Sequence, residues 1–75
     1  MVEEVVDRLL KSQRIYWAWR EMPPVGTVEE TLRMINEEIA WLEKLAIDNP
    51  DQAGEIGRMV ELWKDMAAEY RGKAN

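Results

Sequence analysis

The sequence contains no cysteine and no histidine. Without thiols there is neither a disulfide framework nor a thiolate metal site, and without imidazole the commonest metal ligand and the commonest general base are both missing. Ser12, the only serine, therefore has no base to activate it, and lysines and aspartates alone do not make a nucleophilic site unless burial perturbs them. A helical di-metal carboxylate centre needs a Glu-x-x-His motif on inward faces, which this alphabet cannot supply. The adjacent pairs Glu29-Glu30 and Glu37-Glu38 diverge by about 100° around a helix and cannot chelate together. No glycine-rich phosphate loop is present, because Ala53-Gly54-Glu55-Ile56-Gly57 lies too far inside a predicted helix. The expectation is a non-enzyme with no catalytic, cofactor or metal site.

Long apolar runs are lacking too, so no stretch suits a bilayer. Acidic residues in Met1-Val2-Glu3-Glu4-Val5-Val6-Asp7 stand where a signal peptide carries positive charge, and a cytoplasmic protein is expected. The balance of 10 Lys+Arg against 15 Asp+Glu, a net charge of -5, disfavours nucleic acid and anionic membrane as partners, since both call for a basic face. Seventy-five residues allow one domain, near the lower limit at which a single core offsets chain entropy, because such a domain buries only about 60% of its unfolded surface.

The few prolines and glycines divide the chain at two places. Pro23-Pro24-Val25-Gly26 and Asp48-Asn49-Pro50-Asp51 cannot continue a helix, since proline lacks an amide hydrogen and restricts the residue before it. Thr27 followed by Glu30 reads as a capping box, and Asn49 followed by Pro50 and Gln52 reads as another. The predicted helices run over about 2–22, 28–47 and 50–72, each roughly 30 Å long. Links this short place consecutive helices side by side and antiparallel, so the predicted fold is all-α, a three-helix up-down-up bundle over residues 1–75.

Periodicity supports all three segments. Val28, Leu32, Ile35, Ile39, Leu42 and Ala46 form one stripe, with Glu29, Arg33, Glu37 and Lys44 opposite. Ala53, Ile56, Val60, Trp63, Ala67 and Tyr70 form another, flanked by Met59 and Met66, while Gly57 beside it suggests a close helix approach. In the first helix Val2, Val5, Val6, Leu9, Leu10, Tyr16 and Trp17 read as the inner stripe, interrupted by Gln13 and Arg20. Ile15, Trp19 and Met22 then fall on the side that a simple bundle helix keeps polar. The end of this helix is expected to meet the end of the third, gathering Tyr16, Trp17, Trp19, Met22, Val25, Met66 and Tyr70 at one pole. Aromatics and methionines of this kind are enriched at interfaces. The candidate protein-interaction residues are Ile15, Trp19, Arg20, Met22, Met66 and Tyr70. Glu38, at the edge of the second stripe, is placed to pair with Arg20 or with a partner's cation.

Val28, Leu32, Ile35 and Ile39, with Arg33 after the second anchor, Glu37 two places after the third and Glu38 beside it, resemble the amphipathic death motif of apoptotic regulators. Asn36 and Glu37 replace that motif's small glycine and its aspartate, and any bundle helix supplies the anchor spacing, so no family is assigned. The functional expectation is a protein-interaction module that binds another protein, or itself as a homo-oligomer. Alternatives are an acidic decoy that occupies a nucleic-acid-binding cleft, an engineered binder on a natural helical scaffold, and a cofactor-free enzyme or small-ligand pocket between helices. A decoy would bind with steep salt dependence and an apolar module would not.

Overall fold

The computed structural model describes residues 2–74, with side chains described over 4–72. It contains α1 (Val2–Glu21), α2 (Val28–Asp48) and α3 (Ala53–Ala74), with a single 3-10 turn over Pro50–Gln52. The helices form a bundle with extents of 40 × 18 × 15 Å. Antiparallel hairpins make α1 and α3 parallel, and the Arg20–Glu69 ion pair at 3.7 Å joins their matching ends.

Capping chemistry explains where α2 begins. Gly26 turns the chain at φ +139, and Thr27 follows in an extended conformation. The Glu30 amide donates to Thr27 Oγ1 at 3.1 Å, which satisfies one of the helix's orphan N–H groups and stabilises it by about 1 kcal/mol. Glu30 Oε2 folds back to 2.9 Å from the position a Gly26 Cβ would occupy, so glycine serves both the dihedral and the space there.

The second junction differs from its predicted capping box. Asn49 makes no side-chain cap to the following turn. Its Nδ2 and its backbone amide instead donate to the Leu45 carbonyl, at 3.0 Å and 2.9 Å, so Asn49 closes α2 rather than opening α3. The unpaired carbonyls at a helix end compete for such an amide side chain. Pro50 therefore starts a 3-10 turn, and α3 begins at Ala53, three residues later than the expected cap implied.

Val5, Tyr16, Ile35, Leu42, Ile56, Met59, Val60, Trp63, Met66 and Ala67 form the core. The predicted stripes of α2 and α3 face one another, and these two helices pack closely along their length. Thr31 joins the buried face of α2 because its hydroxyl donates to the Thr27 carbonyl at 3.1 Å. Gly57 does not mark a close approach, since a Cβ there would meet nothing within 4 Å.

α1 stands further from α2 than α3 does, held by a layer of aromatic rings. Tyr16 and Trp19 each meet Trp63 edge to face, with centroids 5.6 Å and 5.5 Å apart, a favourable arrangement of ring quadrupoles. At the centre the Trp63 indole N–H donates to Ser12 Oγ at 2.8 Å, and both residues are essentially inaccessible to solvent.

That hydrogen bond corrects the orientation expected for α1. The inward line is Val5, Leu9, Ser12, Ile15, Tyr16 and Trp19, so Ile15 and Trp19 face the core rather than the opposite side. Val6, Leu10 and Trp17, read as inward, are exposed, and the side chain of Val2 lies outside the described residues. A stripe traced through apolar residues alone bypasses Ser12 and loses the phase of the helix, whereas a serine that accepts from a buried indole behaves as a core residue.

Candidate functional site

The structure brings only part of the predicted interaction set together. Trp19, Arg20, Met66 and Tyr70 meet, with Pro23 and Glu69, around a cleft of about 90 Å³, well below the ~300–1,000 Å³ of ordinary ligand pockets. Met66 is only 2% exposed and belongs to the core, because it lies on the inner face of α3 beside Trp63. Met22 is 79% exposed and Val25 fully so, and neither lines this cleft. Arg20 pairs with Glu69 rather than Glu38, and its guanidinium lies 5.9 Å from the Tyr16 ring centroid. Arg20 is on the α3 side of α1, facing away from α2. Three of the four anchors of the death-motif resemblance, Leu32, Ile35 and Ile39, are turned into the protein's own core, with Ile35 completely buried, so the motif is not available to a groove elsewhere.

A larger apolar surface lies between α1 and α2, where the aromatic layer holds the two helices apart. This groove, about 330 Å³, is lined by Arg8, Ile15, Trp19, Met34, Glu37, Glu38 and Trp41 and floored by Trp63. Three of the chain's four tryptophans therefore share it. From Arg8 to Trp19 the wall of α1 extends about 16 Å, or three helical turns. A further hollow beside Arg8 and Trp41 continues the surface towards Glu4 and Leu45.

The polar rim of the groove is unevenly charged. Arg8 lays its guanidinium over the Trp41 ring, 3.6 Å from the centroid, and reaches Glu38 Oε1 at 4.0 Å. Stacking of this kind contributes about 0.5–2 kcal/mol, depending on how far it is desolvated. The Arg8 Nε is covered and makes no hydrogen bond, so the latch across this end of the groove is incompletely satisfied. Glu37 and Glu38 stand on the opposite wall, and Glu4 lies at the open end. Among the described residues no three carboxylates converge closely enough to hold a metal ion.

Ile15 and Trp19 belonged to the predicted set, although the surface they line is not the one expected. Arg8, Met34 and Trp41 did not. Their signal is a secondary apolar line on α2, Met34, Trp41 and Leu45, at steps of seven and four beside the main stripe. No helix among the described residues is long and apolar enough to cross a membrane. No family model, curated protein or solved structure matches the chain.

Proposed function

We propose that this protein is an interaction module whose α1–α2 groove receives an amphipathic helix of another protein, one with an apolar face and basic flanks. The observation that carries this reading is the composition of the groove: indole and thioether surface, with Met34 and Trp41 each more than two-fifths exposed, between two antiparallel helices. Such side chains give large contact area at small rotamer cost and adapt to the partner's shape. The length of the wall suits about three turns of helix laid between α1 and α2, the geometry of helix-in-groove recognition. The carboxylate of Glu37 on the α2 wall and the chain's net charge of -5 favour Lys or Arg beside the apolar face, while Arg8 and Glu38 are engaged with one another. Rim charges of this kind act mainly on encounter rate and partner choice.

The test uses two synthetic amphipathic peptides that share a leucine face and differ only in lysine or glutamate flanks, titrated against the full chain with tryptophan emission as readout. The expected result is saturable binding of the lysine-flanked peptide, weaker by tenfold or more in the Met34→Glu variant although that change adds negative charge. Equal affinity for both peptides would refute the role of the rim. Undiminished binding to Met34→Glu would remove the groove as the site.

A further inference from the structure

The opposite side of α1 carries a second unpartnered apolar line. Val6, Leu10 and Trp17 are 43%, 44% and 53% exposed, and with Gln13 they follow one another at steps of four, three and four. That is the spacing of a coiled-coil seam, with one polar position in its middle. Leu62, also exposed, lies two helical turns before Glu69 on the edge of α3 that meets Arg20, and so borders the same line. None of these residues lines the α1–α2 groove.

We infer that this line is the contact between two copies of the chain, with α1 packed antiparallel against α1 of the second copy. The choice of occupant rests on self-complementarity of charge and volume. In the antiparallel register that sets Val6 opposite Trp17 of the other copy, Leu10 falls opposite Gln13. The smallest side chain of the seam then meets the largest. The same register brings Asp7 of each copy within about two residues, or ~3 Å of axial rise, of Arg14 of the other. Asp7 and Arg14 are both exposed and have no ion pair among the described residues, so each is available to the second copy. They flank the seam on the side away from α3, where opposite charges across an antiparallel pair set orientation. A parallel pair would put Trp17 on Trp17 and Gln13 on Gln13, and would leave Asp7 and Arg14 without these crossed contacts. A closed two-fold pair uses the same patch twice and leaves no further edge for growth. Since the strip comprises only four side chains on α1 plus Leu62, the interface falls below the ~1,200–2,000 Å² class of stable complexes, which predicts a weak, reversible dimer in the upper micromolar range.

The test is sedimentation of the full chain from about 1 μM to 1 mM, the range that brackets a micromolar constant. The parent is expected to convert from monomer to dimer across this range. Leu10→Lys, on an exposed position, should remain monomeric throughout while melting within a few degrees of the dilute parent. Asp7→Arg and Arg14→Asp should each weaken dimerisation about tenfold, and the double exchange Asp7→Arg with Arg14→Asp should restore it, a recovery that only a crossed contact between copies produces. A parent that stays monomeric at 1 mM would overturn the inference, as would a dimer unaffected by Leu10→Lys. A double exchange no tighter than either single change would overturn the antiparallel register. A dimer lost in Met34→Glu but retained in Leu10→Lys would place the second copy in the groove and overturn this seam.

Discussion

Ser12→Ala isolates the buried hydrogen bond that ties α1 to α3. Ser12 is 1% exposed and Trp63 fully buried, and the 2.8 Å bond between them is a side-chain hydrogen bond across 51 residues of chain. The substitution leaves the Trp63 N–H buried without a partner, which costs about 1–3 kcal/mol. Against this stands the better helix propensity of alanine, worth about 0.5 kcal/mol. The net expectation is a loss of about 0.5–2.5 kcal/mol, which at ~4–8 °C per kcal/mol for a domain of this size lowers the melting temperature by roughly 2–20 °C. Trp63→Phe will cost more, since it shrinks the ring against which Tyr16 and Trp19 pack. In that background, however, Ser12→Ala should be nearly neutral, because no indole donor remains to be stranded. Urea unfolding of the four proteins, followed by far-UV circular dichroism at low protein concentration, gives the coupling directly. A coupling near 1–2 kcal/mol is expected. A loss under ~0.5 kcal/mol for Ser12→Ala, or an equal loss in both backgrounds, would refute the hydrogen bond as the link between the helices.

Two further substitutions test packing. Gly57→Ala should raise stability by about 0.5–1 kcal/mol, since the new methyl meets no atom within 4 Å and the residue sits inside a helix, where glycine is the costlier choice; a fall in the urea midpoint would mean α2 approaches that face more closely. Ile35→Ala, at a fully buried position, should cost about 2–5 kcal/mol and Leu32→Ala less, because Leu32 is only half-buried at the margin of the stripe; equal losses, measured by the same unfolding assay, would contradict the observed rotation of α2.

Helix number, the two breaks and the faces of α2 and α3 were all decided locally. Proline without an amide hydrogen, Gly26 at positive φ and the Thr27 hydroxyl act on neighbours a few residues away, and the apolar residues of these two helices recur without interruption. The start of α3 was less legible, because Asn49 had two possible partners and only the geometry of the α2 end assigned it to Leu45. The face of α1 depended on tertiary structure altogether. Ser12 counts as polar by residue type, yet its burial follows from a donor 51 positions away, and Gln13 and Arg20 offered no local means of telling Trp17 from Trp19. The groove arose in the same way: Met34 and Trp41 are ordinary helix residues until the aromatic layer on Trp63 holds α1 away from α2. Cap and turn chemistry acts over neighbouring residues, so it can be read along the chain. Which apolar residues remain uncovered depends on the sizes of the side chains between helices, and that is settled only when the helices pack.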